Sequence, residues 1–209
     1  MVFLTRRPVK MLFSVIGATI MLSACASSPN TPQTNKNPNV SVGLNDQQTF
    51  LPDKAAFYQK DPRWAKEPLG TSKDTLASDG CLVTAASMAL ANLGFQTDPS
   101  DLNKRLTQTK SFTPRGWLIW DGIRKVTGGK AKARFYKTVN EDLIMNCMSD
   151  GYYPLVQFYL PNGRSHWAMI LHKSKRGFHM RDPLRRSTKP LIFPHSSDKF
   201  RALRCIGLA

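Results

Sequence analysis

A break in composition near residue 50 constrains this chain more than any single motif. Met11 to Leu22 is almost wholly apolar; it follows Arg6, Arg7 and Lys10 and is closed by the small residues Ser23 and Ala24. A membrane-spanning helix needs roughly 20 apolar residues, and this run is shorter. Positive charge, short apolar core and small residues, in that order, mark an export signal over residues 1–24. Residues 25–50 are rich in Ser, Asn, Pro, Gln and Thr and hold few large apolar side chains. Such a stretch cannot bury enough surface to offset its ordering entropy and reads as a flexible tether. From about Leu51 the aromatic and aliphatic content rises and stays up, so residues 51–209 are expected to form one domain around one core.

The run Leu22-Ser23-Ala24-Cys25 resembles the lipobox of bacterial lipoproteins. The resemblance implies lipidation and cleavage at Cys25, and hence a chain anchored in the bacterial cell envelope. Ala26, not an acidic residue, follows the cysteine, so the outer membrane is the expected address in a cell with two membranes. The formal charge is +16, and loss of Arg6, Arg7 and Lys10 with the signal leaves a strongly basic mature chain. Outside the cytoplasm, nucleic acid is not an expected partner. Anionic headgroups or envelope polymers fit the charge, as does a merely solvated surface.

Local signals order the domain. Gly80 to Leu93 has helical spacing of Leu82, Val83, Ala86, Leu90 and Leu93, with Asp79 as candidate N-cap and Gly94 in the left-handed C-terminal position. Asp98-Pro99 opens a second helix, a cap followed by proline at the first helical position. A third is expected from about Gly116 to Val126, and a fourth from Glu141 to Ser149 capped by Asn140. Strands are expected at 133–138, 153–160, 166–172, 177–182, 191–193 and 200–206, with Pro161-Asn162-Gly163 as a turn. Helices first and antiparallel strands later give an α+β fold, with N-terminal helices packed on an antiparallel sheet.

Four cysteines are present. With Cys25 assigned to lipid, Cys147 and Cys205 can pair and leave Cys81 free; two buried thiols at 147 and 205 fit equally well. Cys81 stands in the first turn of an expected helix, where unsatisfied N–H groups and the dipole favour an anionic sulfur. It is a candidate nucleophile, and equally a small core residue. A nucleophilic cysteine needs a base held by a third polar group. His166 opens a strand and Asp182 closes the next, and a turn centred near Ser174 would set them face to face, since antiparallel partners share a constant sum. His172 and His179 alternate with apolar neighbours and read as structural; His195 follows Phe193-Pro194 in a loop and reads as solvated. Trp117, Trp120 and Phe112 suit a helical core better than a substrate cleft, and Trp167 is expected to pack on the face opposite His166. No Cys/His spacing resembles a zinc site, and no metal or cofactor is expected.

Taken together these residues are similar to a known family. Tyr58-Gln59-Lys60-Asp61-Pro62-Arg63-Trp64-Ala65, then Ser78-Asp79-Gly80-Cys81-Leu82-Val83-Thr84-Ala85-Ala86-Ser87-Met88, then His166-Trp167-Ala168-Met169-Ile170 and Arg181-Asp182-Pro183 resemble the papain-like cysteine peptidases related to bacteriocin-leader (double-glycine) peptidases. The match runs from about Phe57 to Asp182. It implies a papain-like fold, Cys81 as nucleophile, His166 as general base, Asp182 as the group orienting the imidazole, and Gln59 as oxyanion donor. Leader peptidases are usually fused to an exporting transporter, so leader processing is not implied for this free-standing chain. The expected activity is hydrolysis of a peptide bond in a peptide or protein substrate. A cell-wall amidase with the same triad is a second expectation, although Gly80-Cys81-Leu82-Val83 does not match the usual Asp-Cys-Ser-Gly turn. A third is a silent binding lipoprotein on the same scaffold.

Overall fold

The computed structural model describes residues 50–209. The export signal, Cys25 and the tether up to residue 49 lie outside the described residues.

Helices come from short stretches with clear local caps. Thr75 and Ser78 form a reciprocal capping box for a one-turn helix, α1 (Leu76–Asp79). It runs directly into α2 (Cys81–Asn92), whose N-cap is Gly80. Asp79 is therefore not the cap of α2: it is the last residue of the preceding turn, and its carboxylate meets Arg164 at 3.4 Å instead. Gly94 does sit past the C-terminus with φ +97°. Asp98 caps α3 (Pro99–Gln108) through the Asp101 N–H, and Asn140 caps α5 (Glu141–Ser149) through the Leu143 N–H. Helix α4 covers only Asp121–Val126. The segment from Gly116 expected to belong to it is instead a tight loop, closed by a bridge between Phe112 and Leu118.

Six antiparallel strands form one sheet. They are β1 (Ala131–Tyr136), β2 (Tyr153–Tyr159), β3 (Ser165–Ser174), β4 (Gly177–Arg181), β5 (Leu191–Phe193) and β6 (Ala202–Leu208), in the spatial order β1-β6-β2-β3-β4-β5. The last strand thus lies between the first two. A 3₁₀ turn, Ser197–Lys199, precedes β6, so Phe200 and Arg201 are not yet strand.

The core explains why α2 has no clean polar face. Val83, Ala85, Ala86, Met88, Ala89 and Leu90 are buried on it, together with Thr84 and Ser87. A helix apolar nearly all round belongs inside a domain, and its alanines let it lie close to β3, with further contact to β2 and β6. Cys147 on α5 and Cys205 on β6 are fully buried and joined as a disulfide rather than standing as two free thiols, and Cys81 is left free. The chain-entropy model gives a 58-residue separation about 4 kcal/mol of stabilisation.

Candidate active site

Two elements bring the candidate residues together. Helix α2 begins at Cys81, half-exposed at its first residue. Close approach puts it there: a Cβ on Gly80 would stand 2.5 Å from the Leu76 carbonyl oxygen and 2.7 Å from the Leu76 Cα. Only glycine lets α1 turn into α2 at this point.

Strand β3 supplies His166, which is 1% exposed and has the Phe158 ring edge-on at 5.4 Å. Phe158 is its cross-strand partner on β2. The ring Nε2 lies 2.6 Å from Asp182 Oδ1. That oxygen also accepts from the Leu184 N–H at 2.8 Å, so the carboxylate is held by its own backbone turn. Nε2 being engaged, Nδ1 is the nitrogen open to Cys81, whose side chain also acts on the ring. Burial pushes the His166 pKa down, but the Asp182 hydrogen bond and the Cys81 side chain outweigh it and raise the group to about 9. The proton therefore stays on this imidazole at neutral pH.

The register differs from the one expected. Met169 pairs with Arg181 and Ile170 with Met180, then a bulge shifts the ladder so that His172 pairs with His179. Continued beyond Met169, that register sets Asp182 opposite Ala168, two residues from His166. The histidine and aspartate are diagonal neighbours on one face rather than direct partners. Diagonal pairs still lie within reach of long side chains, so the contact survives the slip.

Gln59 is 1% exposed. Its Nε2 donates to the Ala77 carbonyl at 3.0 Å and its backbone N–H to the Pro183 carbonyl at 2.8 Å. One residue thus ties the turn before Cys81 to the segment after Asp182. Its Oε1 is buried with no hydrogen-bond partner among the described residues. One of the two Nε2 hydrogens is committed to Ala77, and the other is left to donate.

Beside Cys81 opens a cleft of about 460 Å³ whose wall includes Arg115, Trp117, Trp120, Gln157 and Trp167. This overturns the expectation that Trp117 belongs to a helical core, whereas Trp120 is half-buried against the core while also lining the cleft. Trp117 is 64% exposed, because the loop that carries it is not helical. Phe112 does pack against the core. Trp167 is half-buried and faces away from His166, as alternation requires; that face is the cleft wall. His172 and His179 are stacked at 3.8 Å, and burial lowers the pKa of each. His195 is exposed beside Phe193.

Arg164 is a further residue at the site that the sequence reading did not single out. Its guanidinium donates to the Ser78 carbonyl at 2.9 Å and meets Asp79 at 3.4 Å. It thereby clips the turn leading to His166 onto the residues just before Cys81. Its place two residues before His166 was the available signal.

No protein-family model matches this chain. No curated protein matches it. Among solved structures, one from Bacillus anthracis, assigned there as a C39-like peptidase, superposes with a TM-score of 0.50 at 14% identity, over 78% of this chain and 98% of that one. At that identity the likeness establishes the fold: a C39-type peptidase fold, α+β and papain-like in arrangement.

Proposed function

We propose that this protein is a cysteine peptidase that cleaves a peptide bond, with Cys81 as nucleophile, His166 as general base and acid, Asp182 as the group that orients the imidazole, and Gln59 as oxyanion donor. The observation that carries the reading is the convergence on one buried ring: His166 is pinned by Asp182 at 2.6 Å and acted on by Cys81, on a C39-type fold. Structural ion pairs also perturb histidines, but this one points at a half-exposed sulfur in a cleft, the arrangement nucleophilic catalysis requires.

In the first step the Cys81 sulfur attacks the carbonyl carbon and its proton resides on His166 Nδ1. The S–C bond forms and the carbonyl electron pair moves to oxygen, where the free Nε2 hydrogen of Gln59 donates. Collapse re-forms the carbonyl and breaks the C–N bond, and the departing amine takes the proton from His166. Water, giving a proton to the same nitrogen, then attacks the thioester and releases the acid and the Cys81 sulfur. The export signal, lipidation at Cys25 and a tether over residues 25–50 leading to a peptidase domain at 51–209 complete the proposal. A peptidase on a lipid anchor in the envelope, with a basic surface that suits anionic headgroups, would act on peptides or proteins there. A buried disulfide supports an oxidising compartment.

A test is digestion of a mixed peptide library, with products read by mass spectrometry. New termini should appear with the wild-type protein and vanish with Cys81→Ala and with His166→Ala. Equal product from Cys81→Ala would end the proposal. Metabolic labelling with a palmitate analogue, lost in Cys25→Ser, tests the anchor separately.

A further inference from the structure

The chain has four tryptophans. Trp64 is buried, with its indole N–H on the Tyr58 carbonyl at 3.0 Å. The other three all line the cleft that opens at Cys81. Trp120 and Trp167 form its fixed wall, with ring centroids 6.0 Å apart; Trp120 is also braced by Phe135 at 6.0 Å and by the Arg204 guanidinium at 5.8 Å. Trp117 is different, since most of its surface faces solvent.

The loop holding Trp117 is built to display it. The Thr113 N–H donates to the Trp117 carbonyl at 2.8 Å, and Thr113 Oγ1 accepts from the Trp117 N–H at 3.1 Å. The Gly116 N–H donates to the Thr113 carbonyl at 2.9 Å, and Gly116 sits at φ +75° with Ser72 Oγ 2.8 Å from where a Cβ would be. A left-handed turn packed against Ser72 therefore needs glycine. The Arg115 guanidinium lies 5.6 Å from the Trp117 ring centroid. A large exposed aromatic, ordered by hydrogen bonds and placed beside a nucleophile, has no packing role of its own.

We propose that this cleft is a substrate subsite for a bulky aromatic side chain near the scissile bond, with Trp117 as a specificity-determining residue that stacks on it. The inference rests on the peptidase reading for the identity of the ligand as a peptide. A volume of about 460 Å³ falls in the range of sites that enclose organic ligands, roughly 300–1,000 Å³. Glycine at the cleavage point would leave it empty. An aromatic side chain fills it and meets indole faces at the separations at which aromatic pairs are favourable.

Binding and cleavage are measured separately. The full chain carrying Cys81→Ala is titrated by calorimetry with acetyl-Gly-Gly-Phe-Gly-Gly-amide and with the all-glycine analogue, alone and combined with Trp117→Ala or Trp117→Phe. The phenylalanine peptide should bind about tenfold more tightly than its analogue. Trp117→Ala should abolish that preference without unfolding the domain, since the ring is exposed, and Trp117→Phe should keep most of it. Equal binding of the two peptides, no binding of either, or a preference that survives Trp117→Ala would overturn the subsite. The wild-type protein is then assayed for cleavage of both peptides. Cleavage of both with no phenylalanine preference in binding removes the subsite and leaves the peptidase. The preference without cleavage does the reverse.

Discussion

Replacing Asp182 with alanine sets the two influences on His166 against each other. Burial pulls the ring toward the neutral form, while the carboxylate and Cys81 hold it protonated to about 9. From an ordinary 6.5 to about 9 is about 3 kcal/mol of preference for the imidazolium. In Asp182→Ala the burial remains and the main opposing partner is gone, so the midpoint should fall to 6.5 or below. Asp182→Asn separates charge from geometry. Oδ1 accepts from both the Leu184 N–H and His166, so asparagine keeps its carbonyl oxygen there, and the ring keeps its orientation without the charge. Its midpoint should also fall, while its turnover should exceed that of the alanine variant. The assay is a proton NMR titration of the ring signals from pH 5 to 10; with four histidines in the chain, His166→Ala assigns the signal. Stability follows with a definite sign. A histidine raised in the folded state contributes stability that is fully present below 6.5 and is lost as pH rises through about 9. The wild-type melting temperature should therefore decline over that window, and less so in Asp182→Ala. A wild-type midpoint near 6.5, or one unmoved in Asp182→Ala, refutes the reasoning.

Gly80→Ala drives a Cβ to 2.5 Å from a backbone oxygen that cannot swing aside; turnover should fall at least tenfold as Cys81 shifts, with stability lowered by about 1–3 kcal/mol in chemical denaturation. Gln59→Ala should cut turnover about a hundredfold with the circular-dichroism spectrum unchanged; an unaltered rate would remove Gln59 from the site. Replacing Cys147 and Cys205 together with alanine should cost about 4 kcal/mol in denaturant unfolding, and dithiothreitol should lower the wild-type melting temperature but not that of the double variant.

Legibility in the sequence followed how local the cause was. Asp98-Pro99 and Asn140 were readable because a cap depends on its own side chain and the next three residues. Asp79 looked equally suitable, yet Thr75 and Ser78 had already closed a turn ahead of it, and two abutting helices leave room only for Gly80 between them. The 116–126 segment failed because Gly116 and Trp117 carry a turn whose reason is Ser72, far away in the chain. Strands at 153–160 and 166–172 were readable because apolar runs flank the turn Pro161-Asn162-Gly163, while the bulge after Ile170 has no composition signal. The pairing of His166 with Asp182 outlasted the error in register because the slip moved the aspartate by two positions, which preserves the face. Trp117 was misplaced for a more general reason: the same residue type serves a core and a cleft, and only exposure separates them.

The position of β6 sets an order of events for making this protein. Residues 202–208 insert between β1 and β2, so until they arrive both of those strands keep an unpaired edge. Cys205, half of the disulfide, arrives with them. Before residues 202–208 are in place, Cys81 and His166 have no complete sheet on which to be set. Contacts this distant in sequence are slow to form, and none can form before residues 202–208 have been made. Closure of the sheet thus waits on residues 202–208, and the proposed site stays unformed until β6 has paired with both β1 and β2.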